Sequence, residues 1–301
     1  MSGASGNIYD LGYQGYEGPR LGRAAVARGL LRRSLAEAYG IGRGGRAKIA
    51  PFILLGLALL PAVLAVGIAA LAAQVGAPSG AIEDASPIRH ETYQGLTSLL
   101  VMLLCAAQAP ELFGRDQRYG VLPLYFSRVL TRVDYALART GGLFLAVLVI
   151  TLLPQLVLTV GAALGASDPI QGLRDDTEAI PRYLVVGTVS SALLAGIASV
   201  IAAWTPRRAY ATAMTIAIFI VPPIVVGLTS ELAAGDLARI LVLASSSDVI
   251  DGLNAAVFGT IPDSPAVSAA DLPGVAFVGA AIVGIVGSAV IVLRRYVTVQ
   301  T

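Results

Sequence analysis

The sequence predicts an all-α membrane protein with six transmembrane helices. Its 301 residues are 56% hydrophobic and only 13% charged, whereas soluble domains average about 25% charged residues. Six apolar runs are each close to the roughly 20 residues that a helix needs to cross a bilayer. These predicted spans cover residues 49–73, 93–113, 140–166, 183–204, 209–228 and 275–293.

The orientation follows from positive charge, which falls on alternate segments between the spans. All but four of the 21 lysine and arginine residues precede the first span, separate spans two and three or four and five, or follow the sixth. The positive-inside rule places these segments, and therefore both termini, in the cytoplasm. Lys48 is the only lysine in the chain, a bias typical of GC-rich bacterial genomes. We expect a multi-pass protein of a bacterial plasma (inner) membrane.

Residues 1–48 are predicted to form a cytoplasmic tail and an amphipathic helix, and residues 49–301 the six-helix transmembrane domain. Between residues 21 and 39, small and apolar side chains recur every three or four residues. We expect an elbow helix in the headgroup plane, with an ordinary solvated helix as the alternative. The small and apolar face consists of Ala27, Leu30, Leu31, Ser34, Leu35 and Ala38. The basic side chains elsewhere on this helix are Arg23, Arg28, Arg32 and Arg33.

The segment between the fifth and sixth spans is unusually long. Pro222 and Pro223 are predicted to end or sharply bend the fifth helix just before it. Residues 229–273 contain only short apolar stretches, which predict short external helices too short to span. Small residues spaced four apart predict close helix packing within or between chains. They are Gly161 and Gly165, and then Ala280, Gly284 and Ser288.

Ionisable side chains are almost absent from the spans, which bears on the class of protein. Glu111 is the only acid clearly within one, near its cytoplasmic end, and no charged residue occupies a span centre. This disfavours a secondary carrier, whose coupling site normally lies near the midplane. His90 is predicted to be a loop residue, and Cys105 a small core residue. We therefore expect no catalytic, cofactor-binding or metal-binding residue, and no enzyme activity, in this chain.

The loop between spans two and three is the most informative local sequence. It combines five arginines with an apolar run that a purely solvated loop would not need. This excess of apolar surface predicts a docking element, in which Leu122, Tyr125 and Phe126 enter a groove of a partner protein. Polar contacts around that groove are expected from Arg115, Asp116, Arg118 and Arg128.

Residues 111–128 read E-L-x-x-x-D-x-R-x-G-x-L-x-L-Y-F-S-R, which resembles the stretch after the second helix in permease subunits of ABC-2 type transporters. The predicted order of elbow helix, six spans and long outer segment also resembles that family, as does the I-Y-D-L-G-Y opening at residues 8–13. Val129 stands where the family often has proline.

The resemblance implies an exporter subunit that works as a dimer, either a homodimer or a pair with a close homologue. Two copies of a separate cytoplasmic ATPase would hold ATP and Mg²⁺ and bind a coupling helix between spans two and three. Charge reversal at Asp116 is then expected to uncouple ATP hydrolysis from transport without unfolding the protein. The implied coupling residues are Glu111, Arg115, Asp116, Arg118, Tyr119, Gly120, Leu122, Tyr125, Phe126 and Arg128.

Two other classes of function stay open at this point. A non-transporting membrane anchor or assembly factor has the same hydropathy, and a secondary carrier is less favoured because the span centres lack charge. No nucleic-acid partner is indicated, because the net charge is only +2. An apolar dimer cavity suits an amphiphilic or hydrophobic substrate such as a drug, lipid or peptide.

Overall fold

The structure is a computed structural model that describes residue 18 and residues 22–75, 88–127, 129–165, 168–232 and 236–298. Every regular element among these residues is helical. The helices are α1 (Arg23–Ala38), α2 (Arg46–Gln74), α3 (His90–Ala109), α4 (Arg115–Arg118), α5 (Leu122–Phe126), α6 (Arg132–Gly165), α7 (Pro169–Asp175), α8 (Ala179–Trp204), α9 (Arg208–Leu232), α10 (Asp236–Leu241), α11 (Ser246–Phe258), α12 (Pro265–Ala270) and α13 (Gly274–Thr298). A π-helical turn, Pro110–Gly114, joins α3 to α4.

Six helices of the described chain are long and apolar enough to cross a membrane, as the sequence predicts. They correspond to α2, α3, α6, α8, α9 and α13. The predicted spans fall within these apolar helices or end one residue beyond them, at residue 73, which is still in α2, and at residue 166, which lies outside the described residues. Two boundaries differ from the prediction. Helix α6 begins at Arg132 instead of residue 140, so Arg139 lies inside it. His90, predicted to be a loop residue, is the first residue of α3.

Helix α6 is central in the bundle and packs against α1, α2, α3 and α8. Its buried face carries Leu143 and Ile150, both fully buried. By contrast, α2 leaves much of its apolar surface uncovered, with Ile53 and Ile68 each 55% exposed. Such a face is stable in hydrocarbon and costly in water, which agrees with a membrane environment.

Small residues bring helices into close contact, as their spacing predicts. Gly161 of α6 lies against Val66 of α2, and Gly284 of α13 lies against Leu193 of α8. Ser288 of α13 packs on Gly196 of α8. Gly165 has no such neighbour. The partners are therefore helices of the same chain.

Replacement of Gly161 by valine is expected to destabilise the α2–α6 packing. A β-carbon at Gly161 would overlap the branched side chain of Val66, which has little freedom to move away. Overpacking of this kind costs about 1–3 kcal/mol. Thermal unfolding of the purified protein measures the effect. Gly67→Val is the matched control, since a β-carbon at Gly67 meets open space; equal destabilisation by both variants would contradict this packing.

The segment after the fifth span differs in part from the prediction. Helix α9 does not end at Pro222 and Pro223 but continues to Leu232, so of the two predicted alternatives the helix end is wrong and the sharp bend stays a prediction. A proline lacks the backbone N–H that would bond the carbonyl four residues earlier, so Pro222 leaves the carbonyl of Ile218 without this bond and Pro223 that of Phe219. The helix continues on both sides of the pair. Beyond α9, the short helices α10, α11 and α12 confirm the prediction of short helices before the sixth span.

Candidate functional site

One end of the bundle, here called the basic end, gathers the loop that the sequence singles out. We define it by α1, residues 110–131, the turn at residues 205–207 and the last turn of α13. Gln117 of α4 joins this loop to the ends of α8 and α13. It donates hydrogen bonds to the carbonyl oxygen of Ala203 at 3.0 Å and to the hydroxyl of Tyr296 at 3.1 Å.

The local sequence explains the shape of the loop. The π-helical turn begins at Pro110, and Gly114 follows where a β-carbon would lie 3.3 Å from the carbonyl oxygen of Pro206. Gly120, with φ of +61°, takes the left-handed conformation that ends α4. Pro123 then occupies the first turn of α5, where its missing N–H costs nothing. The chain therefore changes direction at the π-helical turn and at Gly120.

Arg139 is the hub of a buried ion-pair network. Its guanidinium donates from Nη1 to Oε2 of Glu37 at 2.7 Å and from Nη2 to Oδ2 of Asp116 at 2.5 Å. It also donates to Ser34 Oγ at 3.3 Å. Only 3% of the Arg139 side chain is exposed. One buried cation thus joins α6 to α1 and to α4.

Aromatic side chains cover this network. The hydroxyl of Tyr135 donates to Oδ2 of Asp116 at 2.7 Å. Its ring lies 5.4 Å from that of Tyr125, 5.9 Å from that of Phe126 and 5.2 Å from that of Tyr296. Helices α5, α6 and α13 therefore meet over the ion pairs and shield them from water.

A second ion-pair group lies in the π-helical turn. Glu111 accepts from Arg43 at 3.1 Å and from Arg208 at 2.6 Å. Arg43 belongs to the turn between α1 and α2, and Arg208 begins α9. Glu111 thus connects the second span to the first and the fifth. Within the described ranges, no group of three histidine, cysteine, aspartate or glutamate side chains is arranged to hold a metal ion.

The predicted coupling residues divide into an inner and an outer set. Asp116 and Leu122 are buried, and Glu111, Tyr125 and Phe126 are half-buried against the chain's own helices. Arg128 lies outside the described residues. The exposed members of the predicted set are Arg115, Arg118, Tyr119 and Gly120.

The loop's exposed apolar residues differ from the three that the sequence predicts to enter a partner's groove. Leu122 is buried in the core, and Tyr125 and Phe126 are half-buried against it. Their entry into a partner's groove stays a prediction. Tyr119, Leu124 and Val129 are 71%, 68% and 54% exposed. We call these three side chains the outer patch.

Helix α1 uses the face that the sequence predicts, but its partner is protein. Leu30, Ser34 and Ala38 are buried, whereas Arg23, Arg28, Arg32 and Arg33 are exposed. Along α1, Arg23 contacts Asp134, Ser34 lies against Gly142, and Tyr39 donates to the carbonyl oxygen of Ala146. These contacts follow the same order along both helices, so α1 and α6 pack side by side and run in the same direction.

Protonation of Glu37 is expected to weaken the network. Burial opposes ionisation of this carboxyl, but hydrogen bonds from Arg33 and Arg139 outweigh it and hold the pKa of Glu37 below its ordinary value. A lowered pKa in the folded state contributes stability above the unfolded value of 4.5, and this stability is lost as the pH falls below it. The free energy of unfolding of wild type and Glu37→Gln is measured between pH 6 and pH 3.5. It should fall less steeply with pH in the variant. Parallel profiles would exclude this role.

Sequence reasoning missed Arg139, Glu37, Arg43 and Arg208 as site residues. A signal for Arg139 was present, because Ala136, Leu143 and Ala146 extend the apolar period of the third span on both sides of it. Its acidic partners are distant in sequence, and no local spacing joins them.

No protein-family model matches this chain, and no curated protein is significantly similar to it. The likeness to ABC-2 permeases therefore depends on the residues of the loop and the order of the helices.

Proposed function

We propose that this chain is the transmembrane permease subunit of an ATP-driven ABC exporter in a bacterial inner membrane. It works as a homodimer or with a close homologue, has both termini in the cytoplasm, and binds two copies of a separate ATPase. ATP and Mg²⁺ are held by that partner and not by this chain. The substrate is amphiphilic or hydrophobic.

The observation that best supports this proposal is the attachment of the loop to the spans. Residues 110–126 are joined through Arg139 to α6 and α1, through Glu111 to the turn before α2 and to α9, and through Gln117 to α8 and α13. Ion pairs shielded from water are stiff, because separating them exposes buried charge. A force applied to the loop would therefore move several spans together, which is what coupling to an external motor requires.

The outer patch supplies a surface for that motor. Tyr119, Leu124 and Val129 place exposed apolar area beside Arg115 and Arg118 on one loop. An apolar centre with a basic rim is the usual composition of a protein–protein contact. The ATPase is expected to bind here with an apolar pocket rimmed by acidic residues.

The pathway itself is proposed to involve α3 and α9. An open groove of about 550 Å³ runs between these helices, lined by small residues that include Ala107, Ala209 and Ala213. Arg208 lies at its basic end. Met214, Ile218 and other exposed apolar residues continue the surface of α9. A second copy of the chain would close this groove into a cavity with apolar walls.

Copurification tests the proposal. The candidate partner is an ATPase with Walker motifs encoded in the reading frame beside this one. When the two are co-expressed, we expect a membrane complex containing two copies of each, measured by native mass spectrometry. If that ATPase elutes without the membrane chain, the anchor or assembly-factor alternative is favoured instead.

A further inference from the structure

The opposite end of the bundle contains a polar cluster around His90, the only histidine of the chain. Its Nδ1 lies 2.5 Å from Oε1 of Gln155 on α6, and its Nε2 lies 3.2 Å from Oδ2 of Asp176, between α7 and α8. The imidazole stacks on the ring of Tyr183 on α8, with centroids 5.1 Å apart. Three helices that are separate in sequence meet at this one side chain.

The orientation of Gln155 determines how many protons the ring carries. Its Nε2 donates to the backbone carbonyl oxygen of His90 at 3.1 Å, so its Oε1 faces Nδ1. Both ring nitrogens of His90 then face an acceptor, the amide oxygen on one side and the carboxylate of Asp176 on the other. A neutral imidazole has a single N–H and satisfies only one of them. The arrangement is complete only with an imidazolium.

Among the described residues, other polar groups near this junction lie on α3, α6 and α11. On α3, the carboxylate of Glu91 lies 3.9 Å from Arg89. On α11, Asn254 donates to the backbone carbonyl of Glu91 at 2.7 Å. On α6, Thr159 contributes a hydroxyl that bonds Tyr183 at 3.4 Å. The side chains of His90 and Asp176 are 16% and 20% exposed, so protons reach the pair from this end.

We propose that His90 is a proton-binding site that fastens the start of α3 to α6 and α8. The protonated ring bonds Gln155 and Asp176 together. When the ring loses a proton, one of these bonds is lost, and the junction loosens. Its stabilising contribution is thus full at low pH and disappears as the pH rises through the titration of the folded ring. This inference does not depend on the proposed transport function.

Nitrogen NMR of the full-length protein tests the site directly. The protein is labelled with ¹⁵N-histidine, purified through a tag without histidine and placed in phospholipid nanodiscs, so that only one imidazole is observed. We expect an imidazolium in the wild type, and a titration midpoint roughly one to three units lower in Asp176→Asn, because the ring loses its opposite charge. Glu178→Gln is the matched control, since this carboxylate is exposed and pairs with Arg182 instead. Equal midpoints for wild type and Asp176→Asn would overturn the proposal.

Thermal unfolding provides a second readout if Asp176→Asn folds poorly. The wild type should lose stability between pH 5.5 and pH 8.5, relative to His90→Gln measured in the same buffers. Gln155→Met removes the amide acceptor but leaves Asp176. A neutral ring in this variant can donate its one N–H to Asp176, so it loses no bond when it gives up the second proton. We expect this variant to show a smaller loss than the wild type. The same pH profile for wild type and His90→Gln would contradict the proposal.

Discussion

Replacement of Arg139 by methionine is expected to lower the free energy of unfolding by about 3–5 kcal/mol, the largest effect of any single change in this bundle. Methionine has a similar length and fills the same space. It leaves the carboxylates of Glu37 and Asp116 buried beside each other without their shared cation. Denaturant unfolding of the purified protein measures the loss.

Two further variants separate charge from packing. Arg28→Met removes an exposed arginine whose side chain donates to a carbonyl oxygen of its own helix, and it should change stability by less than about 0.5 kcal/mol. The triple variant Glu37→Gln, Asp116→Asn and Arg139→Met removes all three charges and should recover part of the loss. No recovery would mean that the cost comes from packing and not from unpaired charge.

Replacement of Leu124 by glutamate is expected to weaken binding of the proposed ATPase by roughly thirtyfold. A buried apolar contact at the centre of an interface contributes about 2 kcal/mol or more, and each 1.4 kcal/mol is a factor of ten in affinity. Leu124 is 68% exposed, so the fold should not be affected. The measurement is the dissociation constant of the ATPase for the purified chain in nanodiscs.

Ile41→Glu is the matched control for this variant. Ile41 is 51% exposed at the same end of the bundle, in the turn before α2, and it lies outside the outer patch. It introduces the same charge and should leave affinity close to that of the wild type. If both variants weaken binding equally, the effect is general electrostatic repulsion, and the outer patch is not the docking surface.

The burial of Asp116 changes what its charge reversal would report. The resemblance to ABC-2 permeases implies a coupling residue whose charge could be reversed without unfolding the protein. In the structure Asp116 is 7% exposed and bonded to Arg139 and Tyr135. A cation at this position would lie against the guanidinium of Arg139, so reversal is expected to destabilise the fold itself.

The spans could be predicted because hydropathy is a local property of the chain. The same holds for α1, whose apolar period identifies its buried face correctly. Hydropathy does not name the partner of that face, however, and the headgroup-plane position remains a prediction. The contact of Ser34 with Gly142 depends on two residues that the sequence separates widely.

The ion-pair network could not be predicted for a related reason. A rule that ends a span at the nearest charge excludes Arg139 from the third helix. The charge is tolerated there because Glu37 and Asp116 neutralise it, and both belong to other helices. Likewise, the apolar excess of Leu122, Tyr125 and Phe126 was correctly noticed, but it serves contacts with Tyr135 in the same chain. The sequence places His90 in a loop because the second apolar run begins only at residue 93, and its partners Gln155 and Asp176 lie far from it in sequence.

The central claim is that this chain is a passive conduit driven by another protein. Proteoliposomes that contain the purified chain, with or without the co-expressed ATPase, test it through the accumulation of an amphiphilic fluorescent dye. We expect uphill accumulation only when the ATPase and Mg·ATP are both present, and its loss in Leu124→Glu. Accumulation against a gradient by the chain alone, without any nucleotide hydrolase, would contradict the claim.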